Sequence, residues 1–351
     1  MATGNPLVNQ APLIEVKRLV KHFPVGRGGL FSSLVGRSEQ ILKAVDGVSF
    51  SIRRHGSLGL AGESGCGKTT TARLLLKLIE PTAGRVTFDG IDISQLNPGG
   101  VRTFRRKAQL TMQNPYEALN PRFTILRSVV EPLIIHGIGN HQERVDLALQ
   151  ALRDVNLEPP ERYADQFPHK LSGGQLQRAV IARALVLHPE FVVADEPVSM
   201  LDVSVRAGIL NLMRHVTYTY GLTSVYISHD LSLIRYMCER AAVMYLGRVM
   251  EIGPTDRIIE EPKHPYTQAL VSAVPVPDPD YEWKQIDIGD TVPSPINLPD
   301  GCRFQDRCLQ VELRCRRDDP HLYPVGPDHY TACFQYEGQE THGAEERPTG
   351  N

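Results

Sequence analysis

Residues 62–69 have the types and the spacing of a phosphate-binding loop. They read Gly-Glu-Ser-Gly-Cys-Gly-Lys-Thr and match G-x-x-x-x-G-K-[ST], between a predicted strand and a predicted helix. A glycine-rich turn is the alternative, but Lys68 would reach the β- and γ-phosphates of a nucleotide and Thr69 would bind Mg²⁺. We expect a nucleotide to contact the loop and the residue after it, which are Gly62, Glu63, Ser64, Gly65, Cys66, Gly67, Lys68, Thr69 and Thr70.

Four side chains that follow predicted strands could form a catalytic centre with Lys68. Asp195 and Glu196 end an apolar run and suit a Mg²⁺ ligand and a general base that polarises water. A helix N-cap or a solvated loop is the alternative for these two carboxylates. Gln113 and His229 end two other runs, where a sensor of the γ-phosphate would lie, and Gln113 would also contact Mg²⁺. Open parallel sheets bind ligands at the carboxyl ends of their strands, so we expect all four near the loop.

A second helix start has the character of an anion site but has neither a lysine nor a hydroxyl for magnesium. Ser172, Gly173, Gly174 and Gln175 stand at its start, where small residues leave backbone N–H groups free. A dimer would resolve the difference between the two helix starts. Each composite site would take the phosphate loop from one chain and this motif from the other.

Strands and helices alternate around these motifs, which predicts an α/β fold with a largely parallel sheet. Residues 115–170 lack the alternation and have helical periodicity, which indicates a helical subdomain. Residues 26–37 indicate a loop insertion. The predicted strands are Ser57–Ala61, Ala108–Met112, Phe191–Ala194 and Ser224–Ser228, and the predicted helices include Thr69–Ile79, Gln142–Asn156 and Gln175–Leu187.

Composition excludes several classes of protein. The chain has 351 residues and a formal net charge of -2, so no overall field favours nucleic acid or anionic lipid. No apolar run reaches the roughly 18 residues that cross a bilayer, and residues 1–12 lack a signal-peptide pattern. We expect a cytosolic protein with reduced thiols.

Together these motifs resemble the ATP-binding cassette (ABC) ATPase domain over about residues 14–260. The resemblance implies that residues 62–69 are the Walker A motif, that Asp195 and Glu196 end Walker B, and that residues 172–175 are the signature core. It also implies a Q-loop glutamine at 113, a switch histidine at 229, and a D-loop at 199–202 that includes Asp202 and has Met200 where alanine is commoner. Phe23 would stack on adenine, and a core phenylalanine is the alternative.

A narrower resemblance covers nearly the whole chain. Residues 264–270, His-Pro-Tyr-Thr-Gln-Ala-Leu, and residues 114–121, Asn-Pro-Tyr-Glu-Ala-Leu-Asn-Pro, are similar to the ATPases of oligopeptide and dipeptide importers. This implies a peripheral subunit at the cytoplasmic face of the membrane. Its partners would be a second ABC ATPase, in a heterodimer, two transmembrane permeases and an extracytoplasmic solute-binding protein. Nickel, glutathione or oligosaccharide uptake is the alternative within transport.

Four cysteines crowd near the C-terminus with the spacing C-x5-C-x6-C-x17-C. Four thiolates suit zinc or an iron–sulfur cluster, and the gaps are wider than those of short structural zinc motifs. Metal-free thiols and disulfides remain alternatives. The importer resemblance implies a [4Fe–4S] cluster, and nearby arginines, Arg303 and Arg307 among them, could offset its charge or form a solvated basic face. The cysteines are Cys302, Cys308, Cys315 and Cys333.

The resemblance implies a P-loop NTPase fold of the ABC cassette type. It would have a RecA-like, mainly parallel sheet, an antiparallel β subdomain, a helical subdomain and a small cysteine-rich extension. The expected boundaries are a disordered N-terminus at 1–11, an ATPase domain at 12–261 with the helical subdomain at about 115–187, the extension at 262–336 and a disordered tail at 337–351. Two further classes compete: a non-transport ABC protein, and a degenerate regulatory cassette. Neither a coiled-coil insertion nor a lost catalytic residue is visible in the sequence.

Overall fold

The structure, a computed structural model, describes residues 11–25, 40–274, 286, 288, 293–296, 298 and 300–338. The predicted insertion at 26–37 lies outside the described residues, and so does most of the proline-rich segment after residue 274. The predicted disorder at 1–11 and 337–351 also falls almost wholly outside them.

Twelve strands in the described part form two sheets. They are β1 (Pro12–Val25), β2 (Gln40–Arg53), β3 (Ser57–Ala61), β4 (Ala83–Phe88), β5 (Ile91–Asp92), β6 (Ala108–Thr111), β7 (Phe191–Asp195), β8 (Thr223–Ser228), β9 (Arg240–Tyr245), β10 (Arg248–Pro254), β11 (Tyr323–Gly326) and β12 (His329–Thr331). One sheet is antiparallel, in the order β2-β1-β4-β5, and the other has the order β11-β12-β10-β9-β3-β8-β7-β6.

The centre of the larger sheet is parallel, from β9 through β3, β8 and β7 to β6. Strands β7 and β8 are buried along their whole length, as expected for parallel strands covered on both faces. The predicted mixed α/β fold of an ABC cassette is confirmed. The four predicted strands are present, and their bounds agree with the structure to within one residue.

Eleven α-helices occur among the described residues, and short 3₁₀ turns join some of them. They are α1 (Lys68–Leu75), α2 (Pro98–Lys107), α3 (Pro115–Ala118), α4 (Ile125–His136), α5 (His141–Asp154), α6 (Pro160–Ala164), α7 (Gly173–Leu185), α8 (Val203–Thr219), α9 (Leu231–Met237), α10 (Thr255–Glu260) and α11 (Pro265–Ser272). Helices α4, α5 and α7 pack on one another. Of the helices described, none combines the length and the apolar character needed to span a membrane.

All three predicted helices differ from their predicted bounds by two residues or more at one end or both. Helix α5 ends at Asp154 instead of residue 156, and α7 ends at Leu185 instead of residue 187. The larger difference in α1 and the start of α7 have local reasons. Helix α1 was expected to reach residue 79 but ends at Leu75, because Lys77 has a left-handed backbone with φ 48° and Leu78 N–H closes the end by bonding the Arg73 carbonyl at 2.8 Å. Helix α7 begins two residues earlier than predicted. Ser172 is its N-cap, and Gln175 completes a capping box with it.

The chain after residue 261 extends the larger sheet instead of forming a separate sheet within the described part. Strand β12 pairs with β10, and the buried Phe304 ring packs 5.4 Å from the rings of both Tyr245 and Tyr266. Glu251, on β10, is fully buried. It accepts hydrogen bonds from the backbone N–H groups of residues 263 and 264 at 2.9 and 2.8 Å, and its Oε1 lies 2.7 Å from His329 Nε2. One carboxylate therefore joins the C-terminal segment to the body of the protein.

Replacing this carboxylate should destabilise the junction. Glu251→Ala would remove the acceptor of three donors, two of them fully buried, so we expect the free energy of unfolding in urea to fall by about 3–5 kcal/mol. Glu251→Gln keeps an acceptor and should lose less. Glu261→Ala, at an exposed ion pair, is the matched control and should leave the urea midpoint unchanged. Equal midpoints for Glu251→Ala and the control would contradict this role.

Candidate active site

The phosphate loop connects β3 to α1 and depends on glycine at its end. Gly67 has a left-handed backbone with φ 103°, and a Cβ there would collide with the Ala44 carbonyl oxygen. The Lys68 side chain is almost buried, and its Nζ donates to the carbonyls of Gly62 at 2.7 Å and Glu63 at 2.8 Å. These carbonyls hold the ammonium group beside the loop.

Three of the predicted catalytic residues form one hydrogen-bonded group. Gln113 Nε2 donates to Glu196 Oε2 at 2.9 Å, and His229 Nδ1 lies 3.1 Å from Glu196 Oε1. Each residue follows a parallel strand, β6, β7 or β8, so the sheet brings them to one edge. Glu196 has an unusual left-handed backbone with φ 44°, and such strain is concentrated at functional sites.

Asp195 lies one residue earlier and is nearly buried. Burial raises the pKa of its carboxyl, a hydrogen bond with Thr69 opposes this rise, and the negative charge of Glu196 adds to it. Asp195 and Thr69, both predicted to bind Mg²⁺, are thus brought together. A carboxylate and a hydroxyl are oxygen ligands of the kind that Mg²⁺ prefers.

A cleft of about 710 Å³ gathers most of the predicted nucleotide contacts. Phe23 lines it with a partly exposed ring instead of lying in the core, and Lys21 Nζ stands 5.0 Å from the ring centroid. Cys66, which is part of the loop, has a buried side chain, with Sγ 3.6 Å from Lys68 Nζ, and burial raises the pKa of its thiol. The lining residues are Phe23, Leu42, Ala44, Glu63, Ser64, Gly65, Gly67, Lys68, Thr69, Thr70, Gln113, Glu196, His229 and Pro295.

The second helix start does not reach this cleft. Among its lining residues in the described part there is no member of 172–175, and Asp202, the N-cap residue of α8, is also outside it. Ser172 Oγ accepts from the Gln175 N–H at 3.4 Å, and Gln175 Oε1 accepts from the Ser172 N–H at 3.0 Å. The structure therefore brings the loop and the strand-end residues together but leaves the second motif elsewhere on the surface of the chain.

Sequence reasoning missed the part of the site that comes from the C-terminal segment. Arg307 forms a two-pronged ion pair with Glu63, at 2.8 and 3.0 Å, and Tyr266 Oη accepts the Glu63 N–H at 3.0 Å. Arg303, which is buried, pairs with Asp46. Both arginines were expected to offset the charge of a metal cluster or to face solvent. They lie more than two hundred residues from these acidic partners, and no local pattern signals such pairs.

The four C-terminal cysteines line one cavity of about 20 Å³, and none of them is in a disulfide. Burial, with a smaller contribution from the neighbouring cysteines, raises the pKa of Cys302 to about 12 and that of Cys333 to about 11. The thiols are thus close enough to interact electrostatically. Even so, the described residues contain no group of three or more His, Cys, Asp or Glu side chains arranged to hold a metal ion.

Two family profiles and several known proteins match the chain. The profile described as ABC transporter matches residues 45–199, and that described as oligopeptide/dipeptide transporter, C-terminal region, matches residues 250–315. The oligopeptide transport ATP-binding protein AppF of Bacillus subtilis (strain 168) is 42% identical over 331 residues, which are 93% of this chain and 98% of AppF. YkfD of the same strain, also named as an oligopeptide transport ATP-binding protein, is 42% identical over 337 residues, or 95% of this chain and 98% of YkfD.

A solved structure supports the same likeness in three dimensions. The dimeric structure of MJ0796, a bacterial ABC transporter cassette, superposes with a TM-score of 0.60 and 31% sequence identity. It covers 69% of this chain and 98% of the cassette. The likeness thus takes in nearly all of that cassette.

The glycine at 174 permits a close approach between two helices, and this can be tested. A Cβ on Gly174 would lie 2.5 Å from Val205 Cγ1, at the start of α8. We expect Gly174→Ala to lower the free energy of unfolding by about 1–3 kcal/mol through overpacking, and Gly174→Ala/Val205→Ala to recover most of the loss.

Gly208→Ala is the matched control, because Gly208 is an exposed position within α8 where an added Cβ would meet only the end of the Arg178 side chain, at an ordinary contact distance of 3.8 Å. This control should raise the free energy of unfolding by about 0.5–1 kcal/mol through helix propensity. A double variant no more stable than Gly174→Ala would show that the steric account is wrong.

Proposed function

The chain belongs to the ABC transporter family, among the ATP-binding subunits related to oligopeptide transport, and on that premise we propose that it hydrolyses ATP to power the uptake of peptides. The narrower resemblance read from the sequence is confirmed by the two matched profiles and by relatives that align over nearly the whole chain. The competing non-transport class has no support from these matches. Nickel, glutathione or oligosaccharide as the solute would require the same ATPase chemistry.

The observation that carries the ATPase proposal is the hydrogen-bonded group around Glu196. Gln113 and His229 each hold one oxygen of its carboxylate, and all three residues line the cleft that contains the phosphate loop. A carboxylate held in this way can orient and polarise a water molecule for attack on the γ-phosphate. The contacts of Gln113 and His229 would also make the carboxylate sensitive to what occupies the cleft.

The remaining residues of the site suit the binding of the triphosphate. On nucleotide binding, the Lys68 ammonium group would donate to the β- and γ-phosphates instead of to the loop carbonyls. The loop N–H groups and the start of α1 would also bind phosphate oxygens. Thr69, Asp195 and Gln113 would hold Mg²⁺, which neutralises phosphate charge when it is bound. Phe23 offers a partly exposed ring for the base.

The position of the second motif outside the cleft favours a dimer. Since residues 172–175 do not line the chain's own cleft, they are available to complete the site of a partner. MJ0796, which is similar in fold, has a dimeric structure. We infer a heterodimer with a second, related ABC ATPase, and a role for Asp202 at its interface.

Transport requires partners that cross the membrane. We infer two transmembrane permeases and an extracytoplasmic solute-binding protein, with this chain bound peripherally at the cytoplasmic face. Met112 and Tyr116 flank Gln113 and are exposed apolar residues beside the helices at about 115–187, where a permease would contact the ATPase.

We assign residues 12–261 to the ATPase domain and 262–336 to the extension.

The cysteine cavity supports a further part of the proposal. Four free thiols line one small cavity, which brings them into one neighbourhood of the fold. We propose that they bind a [4Fe–4S] cluster, with zinc as the alternative, after losing their protons and rearranging around the bound group. Such a group would serve the structure of the segment or sense its surroundings, since ATP hydrolysis transfers no electrons.

The metal proposal has a direct test. Protein purified without oxygen should contain iron and acid-labile sulfide in stoichiometric amounts, and Cys302→Ser/Cys315→Ser should lose both. Arg314→Gln, on the exposed surface of the same segment, should retain them. Stoichiometric zinc without iron would overturn the cluster, and neither metal in the wild type would overturn the whole assignment.

Glu196→Gln tests the general base. The amide keeps the size of the side chain but cannot act as a base, so we expect ATP binding close to that of the wild type and turnover reduced about 100-fold or more. Binding is measured with a fluorescent ATP analogue and hydrolysis by phosphate release. Exposed Glu261→Gln is the matched control and should change neither quantity. Undiminished turnover in Glu196→Gln would show that the assignment is wrong.

A further inference from the structure

Glu63, the second residue of the phosphate loop, is held by groups on three sides. Arg307 donates from Nη1 to Oε2 at 2.8 Å and from Nη2 to Oε1 at 3.0 Å. The Glu63 N–H donates to Tyr266 Oη at 3.0 Å, and its carbonyl accepts from Lys68 Nζ at 2.8 Å. Two of these three contacts come from the C-terminal segment.

Arg307 is itself fixed in place. Only 8% of its side chain is exposed, its Nε donates to the Ile288 carbonyl at 3.2 Å, and its Nη1 donates to Tyr245 Oη at 3.4 Å. Burial alone would lower the pKa of the guanidinium, but the hydrogen bonds with Glu63 and Tyr245 outweigh burial and raise it. The guanidinium is therefore a permanent positive charge with a set orientation.

Without its arginine partner, the negative charge of Glu63 would disfavour the binding of a nucleotide. Glu63 lines the cleft together with the loop, so an unpaired carboxylate there would repel the negatively charged phosphates of a bound nucleotide. A two-pronged arginine neutralises this carboxylate and also fixes its direction. A lysine at 307 would supply the charge but only one of the two parallel hydrogen bonds.

We propose that Arg307 is a positioning residue of the ATP site, which neutralises the Glu63 carboxylate, fixes its direction and makes the C-terminal segment part of that site. The proposal rests on the proposed ATPase function and adds a residue that the motif of residues 62–69 does not contain. Pro295, from the same part of the chain, lines the cleft beside Phe23, and its carbonyl accepts the Lys43 N–H at 3.4 Å. The segment thus contacts the cleft at more than one point.

The experiment measures the Kd for ATP and the Kd for adenosine in the full-length protein, and KM and kcat for hydrolysis. Arg307→Gln should raise the Kd and the KM for ATP about tenfold, change the Kd for adenosine little, and leave kcat within about twofold. Arg307→Lys should fall between this variant and the wild type. Arg314→Gln is the matched control, because Arg314 lies in the same segment but pairs with Glu337 at the exposed surface.

The decisive variant is Glu63→Gln/Arg307→Gln. If the loss in Arg307→Gln comes from an unpaired carboxylate, removing that carboxylate should restore the Kd for ATP to within about threefold of the wild type. A double variant as weak as Arg307→Gln would overturn the proposal and assign Arg307 a role in folding alone. So would an unchanged Kd in Arg307→Gln. A wild-type protein that does not bind ATP would instead overturn the proposed function.

Discussion

Parallel pairing in the middle of the larger sheet is the constraint on which the rest of the structure depends. Ala61 on β3 pairs with Ser228 on β8, and Asp195 on β7 pairs with Ile227 on β8, so neighbouring strands end at nearly the same level. The phosphate loop, the carboxylate pair and His229 begin where these strands stop. A shift of one strand by two residues would move its catalytic group about 7 Å along the sheet edge and disperse the site.

The site also has to accommodate like charges. Glu63, Asp195 and Glu196 all stand at or beside a cleft proposed to receive a triphosphate. Each carboxylate has its own compensation: Arg307 for Glu63, the Thr69 hydroxyl for Asp195, and the Gln113 and His229 contacts for Glu196. Because these partners come from distant parts of the chain, the charge balance of the cleft depends on the whole fold.

The C-terminal segment has a different relation to the ATPase body from the one its sequence suggested. Clustered cysteines indicated a small extension after the ATPase domain, yet β12 continues the larger sheet and Phe304 packs among aromatic rings of the body. The buried carboxylate of Glu251, on β10 of the body, accepts a hydrogen bond from the N–H of residue 263 at the start of this segment and lies 2.7 Å from His329 Nε2 near its end. Any change in the cysteine cavity would therefore act on the same core that supports β10 and its neighbour β9, which pairs with β3.

The sequence by itself determined the phosphate loop, the four strands around it and the residues at their ends, because these features depend on local spacing and on period-specific patterns of apolar residues. It determined the start of helix α7 only in part. The pattern Ser-Gly-Gly-Gln indicates a helix start, but the helix was predicted to begin at Gln175, whereas Ser172 caps a helix that begins at Gly173. Only the tertiary structure decided that Glu196 forms hydrogen bonds with both Gln113 and His229. It also decided that Val205 packs closely against Gly174 and that Arg307 forms an ion pair with Glu63. Ion pairs and close approaches between residues far apart in the chain leave no periodic or local signal, since they exist only once the sheet has fixed where each segment lies.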